Sequence, residues 1–401
     1  MKLIFLVLFY FFLTMICESS ENDIYMHIID EAAQAGHRNI RFIERGDTLT
    51  ITYWPLGFRN DYEGFRDLRL RISRFIEQKE DLKINNVELI QTSWGVPVLQ
   101  ASFRKDSLSH TDKFKEVFKI PHIENFQNTH YKSKKLLLQF NIPLSIKFGG
   151  FLDSFVYKIG LRPDFRFLIG PGMIAYSQVD LYVHNEFEPK MWYKPANLGL
   201  VYLKPFSEKI ISVTNGGVFT QKDIFGIDEE IKVFLFDDEF SLGLHLGAYG
   251  DILFDDNKFT YTDINKKLSI GSITWSFSKY DCTIKFTGGR FLNGDKGTGI
   301  GISRIFNEVE IGFLGVYSGN EFNGYIDFSI PLYPKSRKSL AVYGLAPVRN
   351  LSLSYRYNSK TISHNPWENK KGLEPEVGIS FKEIEGLARP IHFRHLSRIS
   401  K

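Results

Sequence analysis

The stretch "SITWSFSKYDCTIKFTGGRFLNGDKGTGIGISRIF", residues 272–306, decides the fold because side-chain character alternates along it. Ile273, Trp275 and Phe277 alternate with serine and threonine, and the segments 282–286 and 299–306 repeat the pattern. Neighbouring residues of a β-strand point to opposite faces of the sheet, so each segment has one apolar and one polar face. The stretch therefore predicts successive antiparallel strands.

A crowd of glycines at 294, 297, 299 and 301 raises the alternative of a phosphate-binding loop. Such a loop needs a helix directly after the glycines, so that amide donors and the helix dipole converge on the anion. Here a strand pattern follows, and no Gly-Lys-Ser or Gly-Lys-Thr occurs. Asn293-Gly294 is instead a strong hairpin signal, because both residues tolerate positive φ. We expect a tight hairpin between strands that end near Arg290 and begin near Thr298.

The same alternation recurs from Leu136 to Tyr357, in segments of about ten residues each, as in membrane barrels. It fits a soluble sandwich with an apolar interior or an outer-membrane barrel with an apolar exterior. The polar faces are rich in Gly, Ser and Thr, and aromatic residues fall near segment ends, which favours the membrane. The predicted fold class is mainly β: an outer-membrane antiparallel β-barrel of about 12 strands, with a C-terminal segment, over residues 136–401.

The first residues predict the compartment. Lys2 is followed by the apolar run "LIFLVLFYFFLTMIC" and then by polar residues, which is typical of a secretory signal peptide at 1–20. An uncleaved anchor is the alternative. Cys17 ends the run and is a candidate for lipidation. Cys282 is the only other cysteine, so a removed or acylated Cys17 leaves no intramolecular disulfide.

Residues 24–103 predict a small α/β domain in the order helix, two strands, helix, two strands. The second helix has an apolar face and several arginines. The arginines of this helix are Arg66, Arg69, Arg71 and Arg74. Together they form either a solvated surface or a docking face for a periplasmic export or assembly protein. Residues 104–135 lose the periodicity and become basic and polar, which indicates a linker.

Three stretches resemble the YjbH/GfcD family of outer-membrane proteins of exopolysaccharide and capsule production. They are 288–313, 324–334 and 216–250. The domain at 24–103 resembles the periplasmic domain that accompanies the barrels of this family. The resemblance implies a shortened, single-barrel member in the outer membrane of a Gram-negative type cell envelope. Its implied partners are outer-membrane lipid, a polysaccharide and periplasmic export or assembly proteins.

No catalytic or metal-binding motif accompanies the strand pattern. The net charge of +4 is spread along the chain, which gives no case for nucleic acid. We therefore expect no enzyme, no cofactor and no metal, but a barrel that assists polysaccharide export or assembly. Polymer contacts are predicted at lumen positions Lys285, Arg304, Asp327 and Arg356, for which structural salt bridges are the alternative. An outer-membrane enzyme acting on lipid or glycan and a purely structural or scaffolding barrel stay open.

Overall fold

A computed structural model shows two β-sheets, a small one with two helices and a large one. It describes residues 23–58, 61–79, 83–105, 136–142, 144–148, 155–186, 192–207, 209–220, 223–236, 239–255, 258–277, 279–332, 345–347 and 350–358. The proposed signal peptide, Cys17 and nearly all of the predicted linker lie outside these residues. Within them, no helix is long and apolar enough to cross a membrane.

The small sheet and its two helices form the α/β domain. Its elements are α1 (Asp23–Ala35), β1 (Arg38–Arg45), β2 (Thr48–Trp54), α2 (Asp61–Gln78), β3 (Asn86–Ser93) and β4 (Val96–Arg104). The strand order is β1-β2-β3-β4. Only β2 and β3 run parallel, because α2 connects them as a crossover. Gly36 ends α1 with φ of 113°, the left-handed conformation that its sequence position predicts.

The core of the α/β domain lies between this sheet and the apolar faces of the helices. Strand β2 contributes Leu49, Ile51 and Tyr53, and α2 contributes Phe65 and Leu68, all without contact to water. The α2 residues lie three or four positions apart in sequence, which places them on one face of the helix. The domain therefore follows the usual arrangement of a soluble protein, with apolar side chains inside.

The large sheet contains sixteen strands, of which fourteen form one continuous path. The strands are β5 (Leu136–Asn141), β6 (Leu144–Phe148), β7 (Phe155–Gly170), β8 (Met173–Asn185), β9 (Tyr193–Ser207), β10 (Ile210–Phe219), β11 (Ile224–Leu235), β12 (Phe240–Asp255), β13 (Lys258–Tyr261), β14 (Lys266–Phe277), β15 (Cys282–Arg290), β16 (Lys296–Phe306), β17 (Val309–Ser318), β18 (Glu321–Pro331), β19 (Leu345–Pro347) and β20 (Asn350–Asn358). Strands β5 and β6 pair with successive parts of β7, and β13 pairs with the end of β12.

The end of the path closes the sheet. Strand β20 pairs with β18 at one edge, whereas β19 pairs in parallel with β5 at the other edge. Only residues 348–349 separate β19 from β20, so the two edges of the sheet lie next to each other. The sheet is therefore rolled into a barrel. This confirms the predicted fold class, with fourteen strands along the path instead of about twelve.

The two faces of the barrel differ as the alternation predicts. On β16 every second residue from Lys296 to Phe306 is exposed, and the residues between them are half-buried. The outward row of β16 continues on β15, since Ile300 stands opposite Phe286 and Ile302 opposite Ile284. Apolar side chains thus cover the outside, while glycine, serine, threonine and charged residues are common inside.

The glycine-rich stretch between β15 and β16 is a turn. Strand β15 ends at Arg290 and β16 begins at Lys296, and the Gly294 amide donates to the Phe291 carbonyl oxygen at 2.9 Å. Gly294 has a positive φ of 85°, whereas the φ of Asn293 is not positive. A strand, rather than a helix, contains Gly299. The hairpin prediction is confirmed, and the phosphate loop is excluded.

Candidate functional site

Two of the four predicted polymer-contact residues have described side chains on the inner face of the barrel. Lys285 stands opposite Gly301 on β16, and Asp327 stands opposite Gly312 on β17. Arg356 on β20 holds the register position opposite Tyr325 on β18. These three lie on one wall of the barrel, formed by β15 to β20, where the inward glycines leave room beside the longer side chains.

Arg304, the fourth predicted lumen residue, lies on the outer face, so its prediction is wrong. It shares the exposed row of β16 with Ile302 and Phe306, because residues two apart on a strand point to the same side. Its guanidinium carbon lies 4.9 Å from the centre of the Phe306 ring. Its long side chain therefore covers an aromatic ring instead of reaching a polymer inside.

A denser polar network lies on the opposite wall, on β7 and β8, where the sequence analysis named no site. The Arg162 Nε donates to Asp180 at 2.5 Å, and the Arg166 guanidinium lies 2.6 Å from the Asp164 carboxylate. Gln178 Nε2 donates to the same oxygen of Asp164, Oδ2, at 2.9 Å. Both arginines pair with a carboxylate, whereas Lys158 lies over the Tyr182 ring, so this wall offers hydrogen-bonding groups with little net charge.

The sequence carries a signal for this wall. In "KIGLRPDFRF", Arg162, Asp164 and Arg166 stand at every second position, as inward residues of a strand must. Pro163 between them weakens the strand pattern, because proline in a sheet removes a ladder hydrogen bond.

A third polar group lies inside on β10, β11 and β12. Asp228 Oδ1 accepts from Asn215 Nδ2 at 3.2 Å and lies 3.3 Å from His245 Nε2. Asp228 Oδ2 and Asn215 Oδ1 are buried and have no partner among the described residues. The nearest described partner of His245 is thus a carboxylate. In the described parts of the chain, no three or more His, Cys, Asp or Glu side chains could together hold a metal ion.

Apolar side chains fill the interior next to these polar groups. Phe219, Tyr249 and Ile174 point inward, yet water reaches none of them. In a water-filled channel, such residues would be exposed. Tyr249 lies over its cross-strand partner Gly226, where a Cβ would meet the ring at 2.8 Å. The glycine makes room for the ring, and the barrel is closed at this level.

The α/β domain enters the same apolar cluster through the tip of its second hairpin. Trp94 and Gly95 connect β3 to β4 with φ of 53° and 78°, as a two-residue hairpin turn requires. The Gly172 amide of the β7–β8 turn donates to the Trp94 carbonyl oxygen at 3.0 Å. The interior cluster includes Trp94 and Val96 together with Leu168. The domain therefore docks on the barrel end that carries this turn.

Aromatic contacts strengthen the junction. The ring centres of Trp54 and Trp94 are 5.0 Å apart, and the guanidinium carbon of Arg166 lies 5.6 Å from the Trp94 ring centre. A bulky residue at positive φ is uncommon and strained. The contacts with both the barrel and Trp54 hold Trp94 in this conformation. The junction thus links the polar wall of the barrel to the sheet of the α/β domain.

The four arginines of α2 do not form one docking face. Arg66 and Arg74 are exposed. Arg69 is buried, with its guanidinium carbon 5.9 Å from the Phe103 ring centre. Arg71 pairs with Asp67 on its own helix and with Glu31 on α1. The predicted docking face is therefore wrong for Arg69 and Arg71. On α2, Arg69 points toward the core and Arg71 points toward α1.

Arg71 belongs to a buried cluster with Asp67 and His37. His37 Nε2 lies 3.1 Å from Asp67 Oδ2. Burial lowers the pKa of His37 below its ordinary value, although Asp67 opposes the shift. Burial raises the pKa of Asp67, but hydrogen bonds from His37 and Arg71 outweigh it and hold that pKa at about 2. The cluster holds α1 and α2 together at neutral pH.

Comparison with known proteins gives a weak structural similarity only. No family model and no curated protein matches the chain. It is similar to two structures of OmpT, an outer membrane protein of Vibrio cholerae. The loop L8 deletion mutant has 6% identity and a TM-score of 0.29, over 56% of this chain and 92% of that chain. The in-vitro folded protein has 7% identity and a TM-score of 0.28, over 56% and 96%. The resemblance to the YjbH/GfcD family stays a prediction, and the barrel rests on the strand pairing above.

Proposed function

We propose that the chain is a non-enzymatic outer-membrane β-barrel that assists the export or assembly of an extracellular polysaccharide, with its α/β domain in the periplasm. The observation that carries the membrane location is the exterior of the barrel. Large apolar side chains such as Trp275 (51% exposed), Phe286 and Ile300 (46%) cover it on neighbouring strands. A soluble monomer rarely exposes an apolar patch larger than a few hundred Å². Lipid gives this surface a favourable environment.

Aromatic residues on the outer face support the same location. They occur at the barrel end that holds the α/β domain, which we call the near rim. They are exposed beside four of its hairpin turns: Phe206, Phe236, Trp275, Tyr280 and Phe306. Membrane barrels carry aromatic girdles of this kind where lipid meets water.

The turns support the orientation. Five of the six connections at the near rim have two to four residues: 171–172, 208–209, 236–239, 278–281 and 307–308; the sixth, 332–344 between β18 and β19, has thirteen. At the other end, the far rim, the connections have two to ten residues: 186–192, 220–223, 256–265, 291–295 and 319–320. Outer-membrane barrels have short periplasmic turns and longer outer loops. The near rim and the α/β domain then face the periplasm.

The role in polysaccharide export rests on the family resemblance and on the polar inner walls. Paired charges such as Arg162–Asp180 offer donors and acceptors to sugar hydroxyl groups without a strong net field. The filled interior around Tyr249 favours an assisting role over an open pore. The same observation favours a second candidate, a purely structural or scaffolding barrel.

The test is a deletion strain of the native host, complemented with the full chain or with a chain that lacks residues 24–103. We expect the full chain in the outer-membrane fraction and restored surface polysaccharide. The shortened chain should reach the outer membrane without restoring the polymer. A soluble periplasmic full chain would refute the membrane location. Normal polysaccharide in the deletion strain itself would leave the scaffolding barrel as the better explanation.

A further inference from the structure

Three cations gather on the outer face at the far rim, and we call them the far-rim patch. They are Lys267 on β14, Arg290 on β15 and Lys296 on β16. All three are exposed. Their alternation with buried neighbours places them outside: Leu268 next to Lys267 points inward and is buried.

Strand register brings the three cations together. Arg290 stands directly opposite Lys296. Ser269 stands opposite Arg290 on the other side, so Lys267, two residues before Ser269, is a diagonal neighbour of Arg290. Directly opposite side chains have Cβ atoms about 5 Å apart, and diagonal ones about 7–8 Å. Long basic side chains at these distances can contact one ligand together.

The patch is unfavourable without an anion. Like charges directly opposite each other destabilise a sheet. Two nearby acids are engaged elsewhere: Asp295 accepts from the Ser318 hydroxyl, and Asp251 pairs with Lys266. No ion pair of the three patch cations occurs among the described residues. The Arg290 guanidinium instead lies beside Gly294, where a Cβ would come within 3.4 Å of Nη2.

The height of the patch on the barrel indicates the kind of anion. Strand β16 runs from Lys296 at the far rim, through Ile300 and Ile302, to Arg304 near the other rim. At about 3.3 Å per residue, the eight positions between the two cations span about 26 Å along the strand. A strand tilt of about 35–45° reduces this distance to a height of about 19–22 Å, so the two cations lie just inside an apolar band about 25 Å tall, where long side chains reach its edges. The patch thus lies at the upper edge of the apolar surface.

We propose that the far-rim patch binds the phosphate groups of a phosphorylated lipid in the outer leaflet, whose acyl chains lie along the apolar surface below. The proposal rests on the membrane location and orientation of the proposed function. The arginine fork suits a phosphate by two-point hydrogen bonding, and lysine adds charge. Exposed Tyr317 and Phe322 stand opposite each other on β17 and β18. They continue the lipid-facing surface beside the patch.

The near rim supplies a matched comparison, because its outward cations are separate. Three of them lie over an aromatic ring close in sequence: Lys204 over Phe206, Lys279 over Tyr280, and Arg304 over Phe306. A cation that lies over a ring on its own strand or turn is stabilised by that ring at a membrane interface and needs no lipid phosphate. Three adjacent cations with no such ring mark the far rim as different.

The test measures lipid A binding to the purified full chain in detergent micelles by native mass spectrometry. The variant is Lys267→Gln, Arg290→Gln and Lys296→Gln combined. The matched control, with the same loss of charge, is Lys204→Gln, Lys279→Gln and Arg304→Gln combined. We expect the far-rim variant to bind at least about tenfold more weakly and the control to bind like the unchanged protein. Lipid A stripped of its phosphates should bind weakly to all three.

Insertion into phospholipid vesicles is measured first, which separates this proposal from the proposed function. A chain that does not insert refutes the membrane location itself. If the chain inserts into vesicles, equal lipid A binding by the three proteins in micelles overturns only the proposal about the patch. Equal binding of lipid A with and without its phosphates overturns it as well. Displacement of lipid A by inorganic phosphate at the same concentration would show a site for free anions. Displacement of lipid A by a soluble acidic polysaccharide would show a site for a polymer. Either displacement contradicts the proposal.

Discussion

The α/β domain and the barrel use the same alternation of apolar and polar residues in opposite senses. In the domain, Leu49 and Ile51 of β2 turn toward α2 and are shielded from water. In the barrel, Ile273 and Trp275 of β14 turn outward and are about half exposed. The strands of the two regions cannot be distinguished by period, because both have a repeat of two residues.

The difference lies in what covers the apolar face. Two helices are available to cover the small sheet, and each has an apolar side. No described helix follows Leu136, so the outer face of the barrel has no protein layer among the described residues. An apolar outer face of this kind fits the proposed lipid environment. Alternation predicts a strand, and only the neighbouring elements predict which side is buried.

The largest expected effect comes from one substitution made in both regions. Phe65→Ala should cost the α/β domain about 3–5 kcal/mol, because a cavity remains in its core. Phe286→Ala on the outer face should cost about 1.5–3 kcal/mol, since fluid lipid fills the gap. Denaturant unfolding of the full chain in vesicles measures both, with tryptophan fluorescence for the domain and unheated gel mobility for the barrel. Equal costs would show that protein, and not lipid, packs against Phe286.

A new charge on the barrel exterior should show how deep each position lies. Ile300→Arg, midway along β16, should cost about 2–4 kcal/mol, and Thr298→Arg, nearer the far rim on the same face, about 0–1 kcal/mol. Trp275→Arg, nearer the other rim, should fall between them. Folding free energies in vesicles test this order. No cost at Ile300 would mean that this face is in water and that the comparison between the two regions fails.

The sequence predicted the barrel better than its site. The hairpin at Gly294 and the apolar rows of β14 to β16 follow from local alternation and turn chemistry, both of which a single strand displays. Arg304 was placed inside although it stands two residues from Ile302, and a strict count along β16 would have placed it outside. Lys285 and Asp327 lie on the inner face because their apolar neighbours define the other side, and polymer contact at these two positions stays a prediction.

Contacts between distant residues were beyond reach of the sequence. Asp228 and His245 lie on the two strands of one hairpin, but their contact depends on the register of that hairpin, which alternation alone does not give. The docking of Trp94 on Gly172 joins the α/β domain to the barrel, and no local pattern predicts that contact. Local pattern likewise shows which residues of α2 are polar, but not that Arg69 lies against Phe103. The burial of a long cation depends on the sheet that packs beside the helix.

Acid should weaken the α/β domain before it affects the barrel exterior. The folded pKa of His37 lies below its ordinary value, so His37 favours the folded state above about pH 6.5 and loses this effect as the pH falls. The folded pKa of Asp67 is about 2, so its contribution, about 1–2 kcal/mol after solvent screening, is lost between about pH 4 and pH 2. Asp67→Asn should remove the lower part of this decline in urea titrations. An unchanged pH profile would contradict the role of the cluster.

The smallest expected effect concerns exposed charge on the domain. Reversal of Arg66 and Arg74 to glutamate should change the free energy of unfolding by no more than about 0.5 kcal/mol, because both side chains lie in water. An outward charge on the barrel should cost several times more, so the comparison of the two substitutions contrasts a surface in water with a surface in lipid.

The control is Arg69→Glu, which should unfold the domain because it buries a carboxylate against Phe103. Urea unfolding and surface polysaccharide are measured together. Lost polysaccharide with unchanged stability would show that Arg66 and Arg74 contact an export partner, and normal polysaccharide would show that they are solvated surface.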